Sequence, residues 1–537
     1  MSDREAPATT EKLNTKAAGV VGLAVLCSRV LGLVREQIGA ALFGGGWVMD
    51  AFTIAFRIPN LLRDLFAEGA LSTVFTTVFS KTAATQGTDA AWRLANKTWT
   101  LAIIFLSALT ILGIIFSPEL VAALAPGFEG EKAQLTITLT RVMWPFILLV
   151  SLAALAMGML NARNVFGVPA MASSFFNLGS IVFGVGLGWW LDPSFGTRAV
   201  MGLAIGTLVG GGLQLFVQIP ALYRQGYVYR PDTAWRDPGV KSILRLMGPS
   251  VIAGSTTQAN VTINSIFATT AAGNGGVFAL SIAFRLMQLP LGLFGVALST
   301  VSLPLLARMA ALGNLGTFRT ELARGMRLAF LLTIPATVGL IVLAGPIMSV
   351  LYQHHRYDAV QTAQAAGALQ FYALGLAGYA ALKVLVNSFY ALEMRRTPMF
   401  VSLAAVGLNL LLNWIFTLRL GWGVRGLAFS TACIANTNFL ALYLLMWRRL
   451  GRLDTGAMGA MLARLAPALL VLIAVCWAGG HFLLADWATQ AFWSKLSWLM
   501  VTIVFGGSAF LGAAVVFKVA EMDQLVGVVK RRLNRGR

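Results

Sequence analysis

Charge is scarce in this sequence. Only 12% of its 537 residues are Asp, Glu, Lys or Arg, well under the roughly 25% of a soluble domain, while 57% are apolar and the mean hydropathy is +0.75. That excludes an ordinary cytosolic enzyme. Acids are scarcer than bases, 21 against 41, which leaves a formal charge of +20. In a soluble chain this balance would suggest a nucleic-acid partner, but a chain this apolar puts the membrane first and predicts no nucleic acid. Cysteine is nearly absent: Cys27, Cys433 and Cys476 each sit in an apolar stretch, without the CxxC or Cys/His spacing of a zinc site or a disulfide framework. Histidine is as rare, and the His354-His355 pair reads as solvated loop. There is no glycine-rich phosphate loop ending in GKS or GKT and no HExxH, so no ATP site, metal or other cofactor is expected. The first sixteen residues mix Asp3, Arg4, Glu5, Glu11, Lys12 and Lys16 without a short apolar core, which predicts no removable signal peptide.

What the chain has is apolar length. A spanning helix takes about 20 mostly apolar residues. A hydropathy window places such segments near 17–43, 49–80, 98–117, 134–160, 169–190, 199–222, 243–271, 276–307, 328–348, 359–392, 398–418, 424–446, 458–480 and 492–517. The expectation is an all-α polytopic membrane protein with 14 transmembrane helices. Pro59 and Pro290 fall inside over-long segments and predict bent or broken helices. With the N-terminus inside, 28 Lys and Arg fall in cytoplasmic segments and six in outer loops, which predicts both termini in the cytoplasm and accounts for the high charge.

The chain also repeats itself. Ala70-Leu71-Ser72-Thr73-Val74 recurs as Ala297-Leu298-Ser299-Thr300-Val301, Leu65-Phe66 as Leu293-Phe294, Arg57 as Arg285, and Asn161-Ala162 before Pro169 as Tyr390-Ala391 before Pro398, all at offsets of about 228 residues. The unit is six spans, and an even number preserves orientation, so a parallel pseudo-repeat about an axis along the membrane normal is expected. The organisation follows: a cytoplasmic N-terminus (1–16), an N-lobe of spans 1–6 (17–223), a cytoplasmic linker (224–240), a C-lobe of spans 7–12 (241–448), two extra C-terminal helices (449–517) and a basic cytoplasmic C-terminus (518–537).

Seven basic residues lie within spans: Arg29, Arg35, Arg57, Arg63, Arg141, Arg285 and Lys383, joined by Glu36, Asp50, Asp64 and Glu68. A cation at mid-membrane costs at least about 2.5–3.5 kcal/mol, so such residues face water or a partner. Arg141 precedes Trp144-Pro145 near the outer boundary and can snorkel. The others sit deeper and predict a cationic chamber for an anion, with phosphate oxygens the best match to arginine's planar fork. Asp64 and Glu68, four apart on one helical face, either neutralise part of that charge or couple transport to protons.

These residues also fall in a recognisable pattern. Ser28-Arg29-Val30-Leu31-Gly32 with Arg35, then Asp50-Ala51-Phe52, Ala55-Phe56-Arg57, Pro59-Asn60-Leu61-Leu62-Arg63 and Leu65-Phe66-Ala67-Glu68-Gly69-Ala70 resemble the MurJ (MviN) lipid II flippases of the MOP exporter superfamily. Ala125-Pro126-Gly127-Phe128, Leu160-Asn161-Ala162-Arg163, Arg285-Leu286 with Leu289-Pro290, and Lys383-Val384-Leu385 with Phe389-Tyr390 extend the likeness over spans 1 to 12. The resemblance implies outward flipping of lipid II, the polyprenyl-diphosphate-linked peptidoglycan precursor, across the bacterial inner membrane, by alternating access through a central cationic cavity. It implies that Arg29, Arg35, Arg63 and Arg285 bind the diphosphate, with Asp50, Glu68, Arg57 and Lys383 as further charged positions and Ser28 and Asn60 in the same motifs. It also implies a groove for the lipid tail in spans 13 and 14. The partners are then lipid II and membrane lipids, and the protein is expected to work as a monomer. Two departures stand out: many relatives carry an acid where this chain has Phe284, and some carry a second base where it has Asp64.

Other readings explain less. Another MOP-type exporter, of a different polyprenyl-diphosphate glycan or of drugs, shares the architecture, but a drug exporter favours acids and aromatics where this chain has an excess of arginine. A membrane glycosyltransferase or lipid phosphatase needs a metal-binding carboxylate pair or a nucleophilic histidine near the inner surface, and Asp64 and Glu68 lie in mid-span, so no enzyme activity is expected. A scaffold leaves the buried arginines unexplained.

Overall fold

The computed structural model describes residues 15–64, 71–451, 453–485, 490–519 and 521–522. Glu68 falls outside the described residues. The described chain is helical throughout, with no strand. Ten helical segments are long and apolar enough to cross a membrane, from Thr88–Ile115 to Phe492–Val516, and an eleventh is the pair Ala359–Ala373 and Leu376–Ala391, bent by 41° at its break. The sequence predicted fourteen. The three remaining are set apart by charge, by length or by polar side chains. Helix Thr15–Phe43 carries Arg29, Arg35 and Glu36; Trp47–Leu62 is only 16 residues long; and Pro238–Ala271, though 34 residues long, is loaded with Ser, Thr, Gln and Asn between Ser255 and Asn264.

Both expected breaks have a local form. The helix Trp47–Leu62 runs through Pro59 and passes into a π turn at Arg63 and Asp64, and Gly276–Pro290 passes directly into a π segment at Leu291–Gly295. Proline withdraws a backbone donor, and a widened turn accommodates the freed carbonyl.

By contacts the described chain separates into two compact units. The first comprises the chain up to Ile38, Phe56–Ser117 and Leu139–Ile252. Its core gathers Phe75, Phe79, Trp92, Trp99, Leu155 and Met159. Helices Gly167–Leu191 and Val200–Phe216 pack closely, because a Cβ on Gly202 or Gly206 would run into the backbone of Gly188 or Gly184. In lipid, where no hydrophobic effect drives helices together, such small-residue faces allow the close van der Waals approach that does. The segment between helices Ile219–Arg224 and Pro238–Ala271 is strapped along Thr88–Ile115: Asn96 Oδ1 accepts from Arg230 N (3.2 Å), Thr100 Oγ1 from Asp232 N (3.0 Å), and Lys97 pairs with Asp237 (2.7 Å). Asp237 Oδ1 also accepts from Gly239 N (2.8 Å) and so caps the next helix.

The second unit comprises Gly39–Ala55, Pro118–Thr138 and the chain from Ala253 on. Its core runs from Phe318, Leu322 and Met326 through Leu385 and Phe389 to Met461 and Leu465. A polar ladder crosses it: Asn409 Nδ2 donates to Asn260 Oδ1 (2.7 Å), and Asn413 Nδ2 to Asn264 Oδ1 (2.8 Å) and Asn409 Oδ1 (2.6 Å). Residues four apart lie on one helix face, so two pairs meet in register.

Candidate functional site

The predicted site residues divide between the units. In the first, Ser28, Arg29 and Arg35 lie on Thr15–Phe43, Arg57 and Asn60 lie on the part of Trp47–Leu62 that belongs to this unit, and Arg63 lies in the π turn that follows. Arg29 is exposed; Arg35, Arg57 and Arg63 are half-buried. Arg35 is brought against aromatic rings, with its guanidinium carbon 5.0 Å from the Phe176 ring centre and 5.8 Å from that of Phe56. Arg63 is bound by its own neighbour: Asp64 Oδ1 accepts from Nε (3.1 Å) and from Nη2 (2.7 Å). Ser28 is tied through its carbonyl, which accepts from Asn177 Nδ2 (3.1 Å). The Asn60 Oδ1 is buried without a hydrogen-bond partner among the described residues.

In the second unit, Arg285 on Gly276–Pro290 and Lys383 on Leu376–Ala391 are half-buried, and Arg285 recurs at the position of Arg57 in the sequence repeat. Phe284 packs edge-on against Tyr372 with ring centres 5.3 Å apart.

Asp50 has surroundings of its own. It was expected beside the arginines as a substrate residue, yet it belongs to the second unit and its side chain is fully buried. Its Oδ2 accepts from Lys132 Nζ (2.8 Å) and Gly275 N (2.8 Å), and its Oδ1 from Phe278 N (2.9 Å). The carboxylate therefore caps the start of Gly276–Pro290 from a distant part of the chain, where the helix dipole and the unpaired N–H groups favour an anion. In this conformation it has no surface left for a ligand. Sequence reasoning counted Lys132 only among the outer-loop bases, quoted Phe56 only as part of a motif and passed over Phe176. A cation in a span does signal the need for a partner, but it does not say which ring supplies it.

Ten or eleven helical segments apolar enough to cross a membrane, two of which carry the half-buried Arg285 and Lys383, define a multi-pass membrane protein. The comparisons are specific. The family model described as Lipid II flippase MurJ matches residues 39–498. A Lipid II flippase MurJ of Burkholderia cenocepacia is 36% identical over 430 residues, 79% of this chain and 82% of the relative, and a Probable lipid II flippase MurJ of Rhizobium tropici is 34% identical over 525 residues, 96% of each. Among solved structures, one described as Lipid II flippase MurJ in an inward closed conformation has a TM-score of 0.72 at 24% identity, covering 93% of this chain and 98% of its own. An inward-facing multidrug resistance MATE transporter of the MOP superfamily has a TM-score of 0.59 at 20% identity, covering 81% and 95%. The chain belongs to the MurJ lipid II flippase family.

Proposed function

We propose that this chain, resident in the bacterial inner membrane with both termini in the cytoplasm, carries lipid II from the inner to the outer leaflet by alternating access. Fourteen spans in two six-helix lobes, with a C-terminal pair for the lipid tail, complete the reading. It acts as a monomer without a cofactor and is not an enzyme. The observation that carries it is the family match over residues 39–498, together with Arg285 and Lys383 half-buried on segments apolar enough to cross a membrane. Arg29, Arg35, Arg63 and Arg285 are the proposed diphosphate ligands, with Ser28, Asn60, Arg57 and Lys383 as supporting residues of the same family motifs. Glu68 is the proposed proton-sensitive acid. Arginine stays charged throughout, so its attraction for phosphate survives in a low dielectric, where it is strongest.

Charged hydrogen bonds of this kind contribute roughly 1.5–3 kcal/mol each, so losing one should weaken binding by about ten- to a hundred-fold or more. The test is complementation of a strain depleted of its own lipid II flippase. The chain should restore growth and clear accumulated lipid II, while Arg29→Ala, Arg63→Ala and Arg285→Ala should each fail at normal membrane levels. Wild-type clearance from all three would refute the assignment. Arg→Lys should rescue in part, since it keeps the charge and loses the fork.

A further inference from the structure

The strap between Ile219–Arg224 and Pro238–Ala271 presents a surface of its own. It begins without helix, and its first four side chains alternate: Tyr227 is buried and Tyr229 half-buried against Trp99, ring centres 5.8 and 6.0 Å away, while Val228 and Arg230 are exposed. The bonds from Arg230 N and Asp232 N hold this register, and the Tyr229 hydroxyl lies 3.1 Å from Thr100 Oγ1. A turn follows, in which Asp232 Oδ1 accepts from Ala234 N (3.0 Å). It leaves Trp235 56% exposed, with the Arg236 guanidinium carbon 5.0 Å from its ring centre. In the first turns of the next helix, Lys241 and Arg245 are exposed four residues apart with Leu244 exposed beside them, while Val240 and Ile243 are buried in the core of the unit.

Where charge stops along the neighbouring helices fixes the level of the strap. Its bonds fall on Asn96, Lys97 and Thr100, and after Lys97 the chain carries no charge until Glu119. Likewise none lies between Arg198 and Arg224 in the segment Thr197–Arg224, which is apolar enough to cross a membrane. Both uncharged runs stop at the strap, so it rests where hydrocarbon gives way to headgroups. Arg224, Arg230, Arg236, Lys241 and Arg245 are exposed there, and among the described residues none of them meets an acid. The two acids of the strap are already engaged, Asp232 by Ala234 N and Asp237 by Lys97 and Gly239 N. Retention of a loop on the cytoplasmic side asks only for positive charge; it does not call for Val228 and Trp235 to be 55% and 56% exposed among the arginines. That mixture suits an interface, where an indole sits among headgroups and a guanidinium meets phosphate.

We propose that the strap and the first turns of Pro238–Ala271 form a docking surface for anionic phospholipid headgroups of the bilayer, with Arg230 and Arg236 on the phosphates and Val228 and Trp235 seated between headgroups. Five cations beside two engaged acids leave a surface of one sign, which selects anionic over zwitterionic lipid. The strap joins one sequence repeat to the next, so the charge of the leaflet bears on the joint between them.

The experiment uses the full-length chain, its three native cysteines replaced, in nanodiscs whose two leaflets are alike, so the result does not depend on which way the chain faces. A fluorophore on Thr233→Cys, an exposed position of the strap, reports quenching by lipids that carry a nitroxide near the headgroup. Labelled phosphatidylglycerol and labelled phosphatidylcholine are compared at the same low mole fraction in phosphatidylcholine. At low salt phosphatidylglycerol should quench about 2- to 10-fold more strongly, and the excess should shrink as salt is raised. It should vanish in Arg230→Gln/Arg236→Gln and persist in Arg230→Lys/Arg236→Lys, which keeps the charge. Quenching by phosphatidylcholine should be the same in all three proteins, because Asn96 and Thr100 hold the strap through backbone N–H groups. Equal quenching by the two lipids in the unaltered strap, or an excess that survives the Gln pair, overturns the site. Quenching by neither lipid places the strap in water, open to a soluble partner, and overturns it as well.

Discussion

Asp50 and Arg35 are both membrane-span charges that the sequence marks as functional, and their surroundings give them different work. Asp50 caps the helix Gly276–Pro290 and pairs with Lys132 with no exposed surface. Removing one partner of such a buried pair costs about 3–5 kcal/mol, because the other charge is left without compensation. Asp50→Leu should therefore loosen the start of that helix. In a background without the native cysteines, Val277→Cys, at a position now 1% exposed, should resist a membrane-impermeant thiol reagent with Asp50 present and react when Asp50 is Leu. Equal protection in both would remove the latch. None of this was legible in the sequence, since the partners lie 82, 225 and 228 residues away. The Arg63–Asp64 bond lay within reach of sequence reading, as the two are adjacent, but adjacency alone does not fix a rotamer.

At the scale of elements, apolar length marked eleven of the fourteen predicted segments; the other three are set apart by the charges of Thr15–Phe43, the 16-residue length of Trp47–Leu62 and the polar side chains of Pro238–Ala271. The Asn260/Asn264 and Asn409/Asn413 pairs carry a helical spacing that marks a polar face on each helix; the spacing does not say that these two faces meet. The strap over Thr88–Ile115 was expected only as a cytoplasmic linker, 224–240. Its anchor outside the spans is Asp237. Burial pushes that carboxyl up, but the bonds it accepts from Lys97, Gly239 and Val240 outweigh the burial and hold it below its usual value. A lowered folded value means that the carboxylate's stabilisation is complete above the ordinary carboxylate range near pH 4 and is lost as pH falls through the folded value. Hydrogen exchange across 227–237 should accelerate on acidification below about pH 4, and Asp237→Asn should remove that pH dependence. The glycine seam is the counterpart inside the first unit. Gly206→Leu would force Gly167–Leu191 and Val200–Phe216 apart, and overpacking of this kind costs at least about 1–3 kcal/mol. A thermal melt of the purified variant in detergent should drop by several degrees, and an unchanged melt would contradict the packing argument.

For the whole molecule the question is what drives cargo outward. A headgroup with a diphosphate and peptide carboxylates is strongly anionic, and with the cytoplasm negative each charge moved outward gains about 2.3 kcal/mol per 100 mV. Arginines do not release protons, so the return of the emptied cations opposes that gain unless a counter-ion or a proton on Glu68 offsets it. The potential should therefore accelerate flipping at fixed pH and sodium. Beneath that question lies the central claim, that membrane-buried arginines carry lipid II across. The most direct measurement is lipid II flipping in sealed vesicles containing only the purified chain, compared with Arg29→Ala and Arg285→Ala at matched protein density. The account predicts transfer of lipid II to the opposite leaflet by the wild type and a loss of at least tenfold in each variant. Flipping at the wild-type rate in both variants, or none by the wild type, would contradict it.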